Sequence, residues 1–499
     1  MPRTALMALA LLLGALGAQS PALAPMLRVV GASAPDGRDM PGAAPDVFLG
    51  RPALGNRGTG IGRSGASDPA SPGRPSVARP TFTPTPAKPV PDPAPTQPSP
   101  TTKTSSMPPP IAFFLARGEP DACGPGCSEW IGADGAIDAG AAARLRLLLN
   151  RLGQRRLPIF FHSPGGSVEG SLAIGRLMRT RGLTAGVART IPQGCDPKQS
   201  REEACDRLKH SGRDLPAELD TGTTMCYSAC VYAIVGAAVR DIGPGAKLGI
   251  HSSSFTFAGS EDRASARPPG RVMRATIEAS YERLGRYFEE MGIDPSLVAA
   301  AREIANDHIH VLSRVEIRRF KIDRRGFVED GWRLATPPTH ALHKAFVAEG
   351  AGGTEFRDAV LNVSCGSADR LRLDVAIEHT ANDSMAEHGM RLVAGSGERT
   401  LLPRRHMTLG RSKIEYEISG ADVPPAFLAA AGPSIRLLAV APGSSARSAK
   451  AVDKTIDKSG DFTVTLSTAG LAPALARLLP LCGINASTTK AQTVPRRIR

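Results

Sequence analysis

Three short segments carry the residue types that nucleophilic chemistry uses: Ser163-Pro164-Gly165-Gly166-Ser167, then Cys226-Tyr227-Ser228-Ala229-Cys230, then Leu248-Gly249-Ile250-His251. A serine hydroxyl is a weak nucleophile near neutral pH. It needs a base such as histidine within hydrogen-bond reach, about 2.6 to 3.2 Å. Glycine belongs where the backbone must come close to a substrate or a developing charge. Taken singly, each segment also has an ordinary reading: a serine before a buried helix is an N-cap or packing residue, a glycine pair after a strand is a turn, and a lone histidine is structural.

The elements that would position these residues read as an α/β pattern from Ile111 onward. Ala112 to Leu115 is a predicted strand, and Gly140 to Leu152 carries leucines at helical spacing. Leu157 to Phe161 predicts a short buried strand broken by the Ser163 to Gly166 turn, with a helix restarting at about Val168. A second turn-to-helix step is expected at Ser228, followed by the apolar run Val231 to Val239. Residues 190–224 are polar, contain Cys195 and Cys205, and read as a surface insertion. Ala275 to Met291 and Pro295 to Asn306 predict further helices. Beyond about residue 337, short apolar runs separated by turn residues predict a small β-rich domain that ends in a helix, Leu471 to Leu481.

The order of the three segments resembles the Clp-type serine peptidases and their exported relatives in the wider crotonase-like group. The resemblance covers about residues 111–325 and takes in Ile174 to Arg179, Val239-Arg240 and Leu312 to Glu316. An exported subgroup is similar in its Cys-x-Ser-Ala-Cys block and in a Cys-x-x-x-Cys ahead of a tryptophan, as in Cys123 to Trp130. The fold implied is α/β, a ClpP/crotonase-like repeated β-β-α module, followed here by the small β-rich C-terminal domain. The resemblance implies Ser228 as nucleophile and His251 as general base, with Gly165 or Gly166 and Ala229 offering backbone N–H groups to an oxyanion. A peptide or protein substrate would lie as an extended strand beside the glycine turn. Relatives form rings or trimers, which implies a homo-oligomer. The family's aspartate slot is Ile309 here, and Asp307 is the best substitute. An active dyad, an altered triad and an inactive scaffold all stay open, so the competing reading is a silent peptide-binding module of the envelope.

Composition sets the context. At 499 residues, the chain should hold more than one folded unit. Met1 to Arg3 and the apolar run from Ala5 to about Ala18 read as a signal peptide, residues 1–24, with cleavage after Gly17, Ala18 or Ala24. Residues 25–110, rich in Pro, Gly, Ala, Ser and Thr, read as a disordered linker. The folded units expected are 111–336 and 337–485, with a basic tail over 486–499. No later stretch is long and apolar enough to span a bilayer, so a soluble, periplasmic or secreted protein is expected. The eight cysteines, Cys123, Cys127, Cys195, Cys205, Cys226, Cys230, Cys365 and Cys482, form an even set that suggests disulfides in an exported protein. Their spacing does not supply a zinc set, so no metal is expected, and no cofactor either. The net charge of +14 is scattered and aromatics make up only 4% of the chain, which argues against stacking on nucleic acid.

Overall fold

Alternation of buried strands with one-sided helices builds the first half of the fold. In chain order it runs β1 (Leu27–Val30), β2 (Ala112–Arg117), β3 (Glu129–Asp134), α1 (Ala141–Leu152), β4 (Ile159–His162), α2 (Val168–Arg181), β5 (Thr184–Val187) and β6 (Arg189–Pro192). Next come α3 (Glu203–Lys209), β7 (Leu215–Asp220), β8 (Thr224–Tyr227), α4 (Ala229–Ile234), β9 (Val239–Asp241), β10 (Ala246–Ile250) and β11 (Ser254–Phe257). This half closes with α5 (Gly270–Glu290), α6 (Ser296–Glu303), β12 (His310–Val311) and α7 (Arg314–Arg319). The structure, a computed structural model, describes residues 27–30, 108–196, 203–222, 224–257, 270–335, 340–350, 355–367, 369–379, 389–409, 414–440, 455–456 and 462–484. The predicted signal peptide, the basic tail and most of the predicted linker lie outside these residues. Leu27–Val30 departs from the linker expectation, because it pairs as a strand with β11.

The helices form where one face is apolar. Along α1, Leu145, Leu148, Leu149 and Leu152 are buried while Leu147 points outward, the three-and-four spacing of an amphipathic helix. The Ser167 hydroxyl caps α2 by accepting from the Gly170 N–H, and Gly182 ends it in the left-handed conformation at φ 63°. Against these helices lies a sheet of order β6-β7-β2-β3-β4-β5-β9, whose β3, β4, β5 and β9 run parallel. Strands such as Ile159-Phe160-Phe161, covered on both faces, are apolar throughout for that reason.

A second sheet, β12-β10-β8, holds the segments singled out by sequence. Its β8 and β10 are parallel, and β12 is antiparallel to β10. Just past β4, Ser163 bridges to Cys226 of β8, so the chain leaving the first sheet pairs with the second before it turns at Gly165.

Two expectations change. Within the span 190–224 expected as a surface insertion, β6 and β7 belong to the first sheet: β7 pairs parallel with β2, and β6 pairs with β7. Leu215 and Ala217 alternate inward from exposed Pro216 and Glu218, a two-residue period that marks a strand. The helix after Ser228 stops at Ile234 instead of running to Val239. Gly236 packs on the backbone of Gly175, and Val239 has joined the first sheet beside Thr184.

The second half consists almost entirely of strands: β13 (Phe327–Glu329), β14 (Arg333–Leu334), β15 (Ala341–Gly350), β16 (Phe356–Cys365), β17 (Leu371–His379), β18 (Gly389–Ala394), β19 (Gly397–Leu409) and β20 (Ile414–Val423). It finishes with α8 (Pro425–Ala429), β21 (Ser434–Val440), β22 (Thr455–Ile456), β23 (Phe462–Ser467) and α9 (Leu471–Leu481). The sheet nearly closes on itself, because β22 pairs with both β23 and β15. Leu361, Val363, Leu371, Leu373, Leu437 and Val464 form its core together with the leucines of α9. This sheet already begins at Phe327, since β13 and β14 both pair with β15.

The eight cysteines lie in four pairs at disulfide distance: Cys123 with Cys127, Cys195 with Cys205, Cys226 with Cys230, and Cys365 with Cys482. The last pair ties β16 to the end of α9. Among the described residues, no helix is long and apolar enough to cross a membrane.

Candidate active site

Ser228 sits between the end of β8 and the start of α4, at φ 55° and ψ −127°. That is not the left-handed helical well that asparagine or aspartate visit, but a region an L-residue occupies only under constraint, at roughly 1 to 3 kcal/mol. Three features hold it. The Ser228 N–H donates to the Gly249 carbonyl at 2.7 Å. Cys226 and Cys230, both fully buried, bracket the turn as a disulfide pair. Gly165, at φ 103°, presses its backbone against the turn. A Cβ there would lie 2.8 Å from Ser228 Cβ, 2.6 Å from the Tyr227 carbonyl and 3.2 Å from the Ala229 nitrogen, so only glycine fits.

The glycine turn is fixed in its own right. The Ser163 hydroxyl accepts from the Gly165 N–H at 3.2 Å, and Gly165 returns its carbonyl to the Ile137 N–H at 2.7 Å. At Gly166 (φ 133°), a Cβ would fall 2.1 Å from the Ile137 carbonyl. The N–H groups of Gly166 and Ala229 donate to no protein group among the described residues. Ala229 opens α4, where the first N–H groups of a helix have no partner inside it. Two donors beside a constrained serine are what a developing oxyanion requires. Because α4 has only six residues, the dipole at its start is small.

His251 follows β10, which runs beside β8 with Gly249 paired to Tyr227. The histidine is 1% exposed and Ser228 4%. Its Nδ1 lies 2.8 Å from the Ser252 carbonyl, and a carbonyl only accepts, so Nδ1 carries the proton and Nε2 keeps its lone pair. Nε2 is buried and has no hydrogen-bond partner among the described residues, Ser228 included. Burial holds the imidazole below the ordinary histidine value of 6.5, against the opposing effect of the Ser252 carbonyl. The ring is therefore neutral at pH 7 and can accept a proton at Nε2.

Asp307 is engaged with a different histidine. Its carboxylate is bonded to the adjacent His308 at 2.7 Å and its side chain is 80% exposed. The slot itself, Ile309, is filled by an apolar group: its Cγ2 occupies the space where a Cβ on Gly249 would be. The residue that reaches the histidine is Asn306, whose amide nitrogen donates to the Ser252 carbonyl at 2.7 Å and stands 3.4 Å from His251 Nδ1. Ser252 thus takes bonds from both the imidazole and the amide, and it orients the ring without a full negative charge. The sequence could have offered Asn306 only as a polar residue at the end of a predicted helix; the Ser252 N–H bond to the Ile304 carbonyl, which brings it in, is long-range.

No family model matches the chain, and no curated protein matches it. Among solved structures it is similar to a ClpP1 mutant from Listeria monocytogenes, at 18% identity and TM-score 0.24, over 39% of this chain and 85% of that one. It is also similar to a mutant of 1510-N, a membrane-bound stomatin-specific protease, at 13% identity and TM-score 0.23, over 38% of this chain and 74% of that one. Likeness at this level leaves the chemistry to be read from the geometry.

Proposed function

We propose that the chain is an exported serine peptidase or related hydrolase acting on peptide segments in the cell envelope through a Ser228-His251 dyad. In this reading a ClpP/crotonase-like module of β-β-α repeats over about 111–326 carries the site, and the β-rich sheet that begins at Phe327 is an appended domain. The observation that supports it most is the backbone of Ser228 at φ 55° and ψ −127°, with Gly165 against its Cβ. A serine that merely capped a helix would need neither the strain nor the glycine, and its hydroxyl makes no capping bond here. Export is supported by the four cysteine pairs.

The chemistry follows from the groups present. Ser228 Oγ attacks the substrate carbonyl carbon while its proton passes to His251 Nε2, and the carbonyl oxygen takes up the negative charge beside the Ala229 and Gly166 N–H groups. Collapse breaks the acyl bond, and His251 returns the proton to the leaving amine or alcohol. Water, deprotonated by the same nitrogen, then releases the acyl group and restores the serine. Among the described residues it is the uncharged Ser252 carbonyl that faces Nδ1 of the imidazolium, so turnover should be slower than with a buried carboxylate.

One observation favours the alternative of a silent peptide-binding module: Nε2 has no hydrogen bond to Ser228. Turnover of casein-derived peptides and p-nitrophenyl esters separates the two. Ser228→Ala and His251→Ala should each cut the rate by about a thousandfold or more, with little further loss in the double variant, because such residues act as a unit. Equal turnover by the wild type and Ser228→Ala would leave only the binding role.

A further inference from the structure

β11 begins three residues after His251, and among the described residues its one strand neighbour is β1, a segment remote in sequence. The pairing is antiparallel, Leu27 with Phe257 through Val30 with Ser254. β1 also lies beside α2, the helix that starts just after Gly166. One wall of this channel therefore leads back to the glycine turn and the other to the histidine. Beneath it, Val168, Leu172, Phe255, Tyr281 and Leu284 line a cleft between α2, β11 and α5. The Tyr281 hydroxyl accepts from the Ser253 N–H at 3.1 Å and fixes the start of β11.

We infer that Leu27–Val30 is an intramolecular occupant of a peptide-docking edge, holding the site closed to extended peptides in trans until it is displaced. This rests on the reading of Ser228 and His251 as a peptide site, and it adds the mode of substrate docking and its control. The register supplies the argument. A peptide paired with β11 as β1 is, and continuing in the same direction, comes level with His251 three residues past the position of Val30, about 10 Å along a strand. An unpaired strand edge offers N–H and C=O groups to any extended segment, so β1 and a substrate compete for the same bonds. Four residues supply few such bonds, so the occupant can be displaced by a peptide that adds side-chain contacts.

The test uses the full chain carrying Arg28→Pro and Val29→Pro together, since proline lacks the N–H that pairing needs and two in succession remove it whichever of the two faces β11. The probe is a fluorescein-labelled peptide, Met-Leu-Arg-Val-Val-Gly-Ala, followed by anisotropy; a version with proline at the Arg and first Val positions is the control. The expected result is binding at least fivefold tighter to the double-proline chain than to the wild type, with no binding of the control and an unchanged unfolding transition. Equal binding to both chains, or to neither, overturns the inference. The same comparison in a Ser228→Ala background separates this idea from catalysis. A retained affinity difference together with no turnover by the chains that keep Ser228 sinks the hydrolase reading alone, whereas turnover by those chains with no affinity difference sinks this one alone.

Discussion

At the scale of single residues, the site depends on which atoms are left without partners. Ser228 is held in a costly backbone conformation, Nε2 of His251 is buried without a hydrogen-bond partner among the described residues, and the Ser252 carbonyl accepts from both His251 Nδ1 and the Asn306 amide. The protonation argument has a definite sign. Burial lowers the pKa of His251, so the neutral, competent form persists below pH 6.5 and is lost only in more acid solution. The pH profile of kcat/KM should therefore show an acid limb with its midpoint below 6.5. Asn306→Asp should move that midpoint upward, by about one unit, because a carboxylate beside Nδ1 favours the imidazolium. A wild-type midpoint above 7, or one that ignores the substitution, would argue that another group titrates.

At the scale of elements, the serine turn is placed by the packing of α2 on α4. Gly175 in α2 lies against Gly236 past the end of α4 and under Tyr287 of α5, whose hydroxyl donates to the Tyr232 carbonyl at 2.9 Å. A Cβ on Gly175 would be 1.8 Å from that hydroxyl. Gly175→Ala should therefore cost about 1 to 3 kcal/mol by overpacking and should weaken the Tyr287 bond, measurable as a lower denaturation midpoint with an unchanged slope. An unchanged midpoint would show that the helices slide apart freely. Much of this layout was legible in the sequence because its signals are local: the leucine spacing of α1, the apolar run of β4, the breaks at Gly165 and Ser228. What escaped was set by long-range pairing. β7 joins the first sheet through two residues opposite β2, Asn306 reaches His251 through the backbone at Ile304, and β1 finds β11 across the chain. No spacing rule reports such partners. β15 was missed for another reason: its Ala341–Gly350 stretch is largely buried on both faces, so it lacks the alternation that marks a strand.

At the scale of the whole molecule, the two halves of the fold meet along a seam that carries ion pairs beside the apolar cluster of Val315, Val328, Val347 and Phe356. Arg333 pairs with Asp220 at 3.5 Å, Arg477 with Glu218 at 3.3 Å, and Arg318 with Glu349. At its centre Asp330 is buried against Gly243, with Arg333, Lys344, the Thr221 hydroxyl and Asp241 around it, and burial pushes its carboxyl up to about 7. An acid whose folded pKa lies above its unfolded value binds its proton more tightly in the native state. Stability should therefore fall as pH rises from about 4 to about 7 and level off beyond. Between pH 5 and pH 8 the wild-type melting temperature should drop by a few degrees more than that of Asp330→Asn, in which this titration is absent. Parallel curves for the two proteins would place the pH dependence elsewhere.

The central claim is that Ser228 is an activated nucleophile, and a fluorophosphonate tests it without knowledge of the substrate. Intact mass and peptide mapping of the treated, folded chain should find a single adduct, on Ser228, absent in Ser228→Ala and formed far more slowly in His251→Ala. A wild-type chain that keeps its cooperative unfolding transition and gains no adduct, or gains one on another serine, would contradict the account.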